Sequence, residues 1–152
     1  MIIDDKKKGL LMETNTRLMV AFTKMARVFA EKLGKDLERL GMPYSEYPIL
    51  AHLNKVGRAK TQKLGEVAII TSGTITHTVN KLIKQGYVEK VQDETDRRVY
   101  WVQMTDEGRE AFNEVHEAHI KYLNYVLEDF TEEEKIGFID TMKQFGRGVA
   151  EK

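Results

Sequence analysis

Polar and basic side chains share one face of a helix that the sequence predicts at residues 72–85. With about 100° between successive residues, Ile75, Val79 and Leu82 form its apolar stripe. The opposite face consists of Gly73, His77, Asn80, Lys81 and Lys84, with Thr74 on its flank. Small residues permit close approach to base edges, imidazole and amide groups can hydrogen-bond to those edges, and lysines can contact phosphates. The pattern fits a helix for the DNA major groove, although most charged helix faces are simply solvated.

A predicted β-hairpin follows this helix and carries two adjacent arginines at its tip. Its strands are predicted at residues 87–92 and 99–104. The guanidinium of Arg97 or Arg98 could enter a DNA minor groove, where negative potential is concentrated. Asp93 or Asp96 could hold one of the arginines by a bidentate pair. Paired arginines favour a nucleic-acid partner over the alternative of a helical protein-interaction module, which has no need of them.

The surrounding segments predict the helices that must hold these residues in place. A short helix at residues 61–67 precedes helix 72–85 by a tight turn, and two helices connected in this way form a helix-turn-helix pattern. Further helices are predicted at residues 10–39, 45–55 and 105–128, and a Thr131-x-x-Glu134 capping box opens a last helix. The segment Arg58-Ala59-Lys60 is predicted to be a short polar connection.

Composition limits the architecture and the partners of the 152-residue chain. The length favours one domain, and the lack of cysteine excludes disulfides, thiolate metal sites and thiol-based sensing. No apolar run approaches the roughly 20 residues of a membrane span, so we expect a cytoplasmic protein without a membrane partner. Residues 1–57 and 58–104 each carry a net charge of +3, whereas residues 105–152 carry −6. This split is compatible with a basic middle segment that binds DNA and an acidic end held away from it.

Three motifs together resemble the MarR family of bacterial and archaeal transcriptional regulators. They are the run from Leu64 to Val88, the triplet Asp96-Arg97-Arg98, and Thr105-x-x-Gly108. The order of helices is similar over nearly the whole chain. The resemblance implies a mainly α fold with a small β-hairpin wing. It assigns residues 1–152 to one domain, with a winged helix-turn-helix DNA-binding lobe at 45–104 and dimerisation helices at 1–40 and 105–152.

The resemblance also implies how such a protein works. It would be a homodimer on a pseudo-palindromic operator in double-stranded DNA, usually a repressor released by a small ligand. The positions that face DNA in the family are occupied here by Ser72, Thr74, Thr76 and His77. Arg97 or Arg98 matches the family's wing arginine, whereas the helical wheel places Thr76 only on the flank of the outward face.

Apolar residues outside the lobe support the expected homodimer. A winged-helix unit of this size cannot cover all those on the first, fifth and sixth helices, so a second copy would bury them. The alternative is that they pack within one chain. They include Leu10, Leu11, Leu18, Phe22, Ala118, Tyr122, Val126, Ile136, Phe138, Ile139, Met142 and Phe145.

In the family a ligand pocket lies between the dimerisation helices and the DNA-binding lobe. The residues that could line it here are Phe22, Met25, Tyr44, Tyr47 and His52. For each of them, ordinary core is the favoured interpretation and pocket lining is the alternative. A mixture of methionine and aromatic residues would suit a planar, hydrophobic or aromatic effector, because methionine adapts its shape readily.

Metal-dependent and enzymatic functions find little support in the sequence. A zinc-sensing branch of the family makes a metal-responsive regulator the alternative, and His116 and His119 stand three residues apart on the fifth helix. Tyr44 and Tyr47 nevertheless open the second helix where that branch uses histidine, so we expect no metal or other cofactor. Because no glycine-rich phosphate loop, nucleophile elbow or metal-ligand series occurs, we expect a protein that is not an enzyme.

Overall fold

The computed structural model describes the backbone of residues 5–68 and 72–152, and the side chains of residues 13–68 and 74–152. These parts of the chain form six helices and three short strands, a mainly α fold as the sequence predicts. In chain order they are α1 (Asp5–Arg39), α2 (Tyr47–Val56), β1 (Arg58–Ala59), α3 (Thr61–Ala68), α4 (Ser72–Lys84), β2 (Val88–Gln92), β3 (Tyr100–Met104), α5 (Asp106–Val126) and α6 (Glu132–Ala150). The first helix therefore begins five residues earlier than predicted.

The segment that the sequence analysis treated as a polar connection contains a strand. Arg58 and Ala59 form β1, which pairs antiparallel with β3 opposite Gln103 and Val102. The sheet has three strands in the order β1-β3-β2, rather than the hairpin alone. Two residues are too few to show the alternation that identifies a strand, so only the pairing with β3 defines it.

Strands β2 and β3 form the predicted wing. Their register runs from Val88 opposite Met104 to Gln92 opposite Tyr100. Backbone bonds from Asp93 N to Val99 O and from Val99 N to Asp96 O, both 2.9 Å long, close its tip. The wing is therefore a short, hydrogen-bonded ribbon that presents the loop residues 93–99 at its end.

The hydrophobic core lies between helices α2 to α5, the end of α1 and the inner face of the sheet. The predicted stripe of α4 is buried there, since Ile75 is 3% exposed and Val79 and Leu82 are fully buried. Around it lie Leu37, Met42, Ile49, Leu50, Leu53, Ala59, Leu64, Val88, Val102, Met104, Phe112 and Val115. Because the stripe is fixed inside, the opposite side of α4 must face outwards.

The start of α5 is tied to the start of the wing. Thr105 is its N-cap: the hydroxyl accepts from Gly108 N at 3.0 Å and donates to Gly86 O at 2.5 Å. Thr105 N also donates to Tyr87 O at 3.1 Å. These bonds fix the wing to α5, which leads away from the lobe.

The outer parts of α1 and α6 bury little within one chain. Their exposed apolar residues include Leu18, Phe22 and Val28 on α1 and Ile136, Phe138 and Phe145 on α6. No residue of α6 is buried, although the predicted capping box of Thr131 and Glu134 is present at its start. Among the described residues, no helix has the length and apolar character needed to cross a membrane.

Candidate nucleic-acid interface

The outward face of α4 presents most of the side chains that the sequence singled out. Its exposed members are Thr74, Thr76, His77, Asn80, Lys81 and Lys84. Ser72 and Gly73 begin the helix, but their side chains lie outside the described residues. Thr76, which the helical wheel places on the flank, is exposed together with the rest. The face is polar throughout and becomes basic towards its carboxyl end.

Lys81 has a partner that the sequence analysis missed. Its ammonium Nζ lies 2.5 Å from Oε1 of Glu46, whose side chain is only 2% exposed. This approach lacks hydrogen-bond geometry, and Oε1 has no other hydrogen-bond partner, so its burial is compensated by the charge of the lysine. Glu46 stands 35 positions before Lys81, and no local pattern connects the two. The pair fixes α4 against the start of α2.

At the wing tip a carboxylate holds one arginine in a fixed direction. Asp96 accepts from Arg98 Nε at 3.1 Å through one oxygen and from Nη2 at 3.2 Å through the other. This arginine bond lowers the pKa of Asp96. The Arg98 side chain is 90% exposed, so the guanidinium projects from the ribbon while its orientation is set.

Asp93, the other candidate for wing support, stabilises the turn and a tryptophan instead of an arginine. Its Oδ1 accepts from Thr95 N at 2.9 Å, Thr95 Oγ1 at 2.6 Å and Asp96 N at 3.1 Å. Its Oδ2 accepts from Trp101 Nε1 at 2.7 Å. The bond from the Thr95 hydroxyl has the largest effect on the pKa of Asp93, followed by the bond from Trp101 Nε1 and those from the two backbone N–H groups. Together they hold this pKa well below its ordinary value. The carboxylate therefore keeps the tip in one conformation.

Two further cations lie beside the wing on the face of Trp101. The Arg58 guanidinium is 4.9 Å and the Lys60 ammonium 5.5 Å from the ring centroid. Both distances are within the range of cation–π interactions. None of these three residues is among the predicted site residues, because the sequence pattern places Arg58 and Lys60 in a loop without a strand partner. The pairing of β1 with β3 could have been found only from the fold.

The family of this chain follows from comparison with known proteins. The family described as transcriptional regulator SarA/Rot matches residues 32–115, which cover the end of α1, the helix-turn-helix, the wing and half of α5. The chain belongs to this family. It is a winged-helix transcriptional regulator of the MarR type.

Named relatives agree with this assignment over most of their length. The uncharacterized HTH-type transcriptional regulator YwoH of Bacillus subtilis is 27% identical over 131 residues, covering 86% of this chain and 95% of that protein. The HTH-type transcriptional regulator MhqR of the same organism is 25% identical, covering 88% and 92%. The matched proteins are named as transcriptional regulators. This class is not defined by an enzymatic activity.

A solved relative has been crystallised on DNA. Sco3205, a MarR family transcriptional regulator from Streptomyces coelicolor in complex with DNA, superposes with a TM-score of 0.79. It is 25% identical and covers 88% of this chain and 90% of its own. The winged-helix arrangement of this MarR-type regulator is therefore shared by a protein that binds DNA.

The five predicted ligand residues are not gathered around one cavity of this MarR-type chain. Of these five residues, only Met25 lines an open, solvent-exposed cavity of about 460 Å³ between α1 and α5. Phe22 and Tyr44 are about half exposed, and Tyr47 donates or accepts a 2.7 Å hydrogen bond with His116 Nδ1. His52 is partly buried. The cavity takes its other walls from Val28, Phe29, Lys32, Tyr122, Tyr125, Val126, Glu128 and Asp129.

The two histidines considered as weak metal candidates have separate partners. Nδ1 of His116 bonds to the Tyr47 hydroxyl, whereas Nδ1 of the buried His119 lies 2.8 Å from Asp36 Oδ2. Burial raises the pKa of Asp36, but the bonds from His119 and Arg39 outweigh it and lower the value. No set of three potential metal ligands occurs within the described ranges. The arrangement joins α1, α2 and α5 and does not favour the metal-responsive alternative.

Proposed function

We propose that this regulator is a homodimer that binds a pseudo-palindromic operator and acts as a repressor released by a small ligand. The observation that carries the proposal is the position of α4 beside the wing. The exposed polar face of the helix and the outward guanidinium of Arg98 belong to one small lobe. Such a lobe can place a helix in the major groove and an arginine in the neighbouring minor groove.

Each part of the face has a role in this proposal. His77 and Asn80 hydrogen-bond to base edges, and Ser72, Gly73, Thr74 and Thr76 lie where the helix approaches the bases most closely. Lys84 contacts a phosphate, and Lys81 contributes from beside Glu46. Arg98 enters the minor groove from its support on Asp96, with Arg97 next to it. Base contacts give sequence preference, while the lysines give salt-dependent affinity.

Exposed apolar surface supports the proposed homodimer. The first and sixth helices expose large apolar side chains, among them Phe22 and Phe145, each 53% exposed. Large apolar side chains exposed in this number are a feature of protein interfaces. A two-fold dimer would set its two copies of α4 about 34 Å apart, on successive turns of one face of the duplex. Half-sites with inverted symmetry follow from that geometry.

The cavity between α1 and α5 supports the proposed release by a small effector. Its lining combines Met25, Phe29 and Tyr122 with charged residues, which are Lys32, Glu128 and Asp129. A planar hydrophobic or aromatic compound fits this mixture. Because α5 leads directly from the wing, a ligand that changes the angle between α1 and α5 would change the distance between the two lobes.

Selection of bound fragments from random DNA tests the proposal. We expect recovered sequences to share a motif with inverted repeats, and fluorescence anisotropy to show saturable binding that weakens steeply with salt. A fragment with one half-site scrambled is the matched control. Recovery of no common motif, with equal affinity for the scrambled control, would contradict sequence-specific operator binding.

A further inference from the structure

The outer face of the sheet holds a group of residues that the proposed helix and wing contacts do not use. Trp101 lies on β3 next to Val102, which is fully buried, so the indole is on the opposite face of the strand. Arg58 on β1 and Lys60 just after it approach this indole. We call Arg58, Lys60 and Trp101 the indole platform.

The platform combines an indole held by a hydrogen bond with two positively charged side chains. Asp93 fixes the indole by accepting from Nε1 at 2.7 Å, with the same carboxylate that orders the wing tip. Within the described residues, Arg58 and Lys60 form no ion pair of 4 Å or less with a carboxylate. Two like charges thus lie over one indole ring, and neither is held in such an ion pair.

The platform is continuous with the proposed DNA-binding surface. Lys60 lies over the indole of Trp101, whose Nε1 bonds to Asp93 at the wing tip. After the bonds from Arg98, the charge of Lys60 also lowers the pKa of Asp96. Lys60 also directly precedes α3, the first helix of the helix-turn-helix. The two cations therefore lie between the wing and the helix-turn-helix. A polyanion that contacts the wing and the helix-turn-helix together would pass over them.

We propose that the indole platform is a second DNA contact, in which Arg58 and Lys60 bind consecutive phosphates of the strand beside the wing. The indole holds both side chains in place, which reduces the entropy lost when they bind. This inference rests on the proposed DNA binding and adds a backbone contact that carries no base preference. An acidic protein surface is the competing partner, and the experiment separates the two.

The salt dependence of operator binding tests the platform directly. Each phosphate contact contributes about −0.9 to the slope of log K against log salt concentration. We expect Arg58→Gln and Lys60→Gln each to reduce the steepness by about 0.9, and the double variant by about twice that. Lys121→Gln, which removes the same charge from the exposed face of α5, is the matched control and should leave the slope unchanged. Wild-type slopes in both single variants and in the double variant would overturn the inference.

Trp101 supplies an independent optical signal because it is the only tryptophan in the chain. We expect operator DNA to protect its fluorescence from quenching by neutral acrylamide. The double variant, still bound through α4 and the wing at saturating DNA, should lose most of that protection. Unchanged quenching in the wild-type complex would favour a different partner for the platform and overturn the inference. Wild-type protein that binds no DNA at all would instead overturn the proposed function.

Discussion

Arg98 differs from a freely moving surface arginine because Asp96 sets the direction of its guanidinium. Both carboxylate oxygens take part, and the backbone N of Arg98 donates to the same group at 3.0 Å. A side chain prepared in this way loses less entropy when it enters a groove. The wing contact should therefore depend on Arg98 and on its carboxylate support.

Replacement of the wing arginine gives the first prediction. We expect Arg98→Ala to weaken operator binding by about 1–3 kcal/mol, and Asp96→Asn to weaken it less. Arg97→Ala is the matched control, since it removes the same charge from the adjacent position. Anisotropy titrations at one salt concentration measure all three. A larger loss for Arg97→Ala than for Arg98→Ala would show that Arg97, and not Arg98, makes the groove contact.

Lys81 has two possible partners, a buried carboxylate within the chain and a DNA phosphate outside it. Since its ammonium already compensates Glu46, we expect Lys81→Ala to lower the free energy of unfolding by about 1–3 kcal/mol. The same change should alter the salt slope of DNA binding by less than the value of about 0.9 expected for a full phosphate contact.

Two variants serve as controls for this interpretation of Lys81. Lys84→Ala, one helical turn further along, should leave stability unchanged and reduce the steepness of the salt slope by about 0.9. Glu46→Gln combined with Lys81→Ala should recover part of the lost stability, because the buried negative charge is gone. Urea unfolding measures the stabilities. Equal stability of wild type and Lys81→Ala would show that the ion pair does not hold α4.

At the level of elements, Gly108 allows α5 to start directly against the wing. A Cβ built on Gly108 would lie 1.9 Å from the carbonyl oxygen of Tyr87, which is backbone and cannot turn away. We expect Gly108→Ala to destabilise the fold by about 1–3 kcal/mol or more, since α5 must move from β2. Gly34→Ala in α1, where a Cβ meets nothing within 4 Å, should be neutral or stabilising. Thermal unfolding of both variants checks this, and equal melting temperatures would contradict the close contact.

The elements that sequence patterns could predict are those with a local repeat or a local bond. The stripe of Ile75, Val79 and Leu82 follows the helical period, and the box of Thr131 and Glu134 spans one turn. Both are confirmed. The segment with β1 was predicted wrongly, because a two-residue strand exists only through its pairing with β3.

The missed parts of the candidate site have the same physical origin. Glu46 and Lys81 meet across 35 positions, and Trp101 meets Arg58 across 43. Neither contact produces a periodic pattern in the sequence, because each depends on how α2, α4 and the sheet pack together. The outward face of α4 could be predicted, whereas the partners that restrain it required the fold.

Over the whole molecule, a group of buried and half-buried polar contacts joins α1, α2 and α5. Asp36 near the end of α1 contacts the buried His119 of α5, and Tyr47 at the start of α2 bonds to His116 one turn earlier. Tyr47 directly follows Glu46, the partner of Lys81. These contacts connect α1 and α5 to the start of α2 and, through Glu46, to α4.

The sixth helix tests whether the whole molecule works as a dimer. It buries no side chain within one chain, so Ile139→Glu should leave the fold of the lobe intact while placing a charge in the proposed interface. Light scattering at micromolar concentration should give twice the chain mass for wild type and the single mass for the variant. Operator affinity should fall with it, because one lobe then engages only one half-site. Gln144→Glu, which adds the same charge at an exposed position on the other side of α6, is the control. Light scattering that gives the mass of a single chain for the wild-type protein would contradict the dimer.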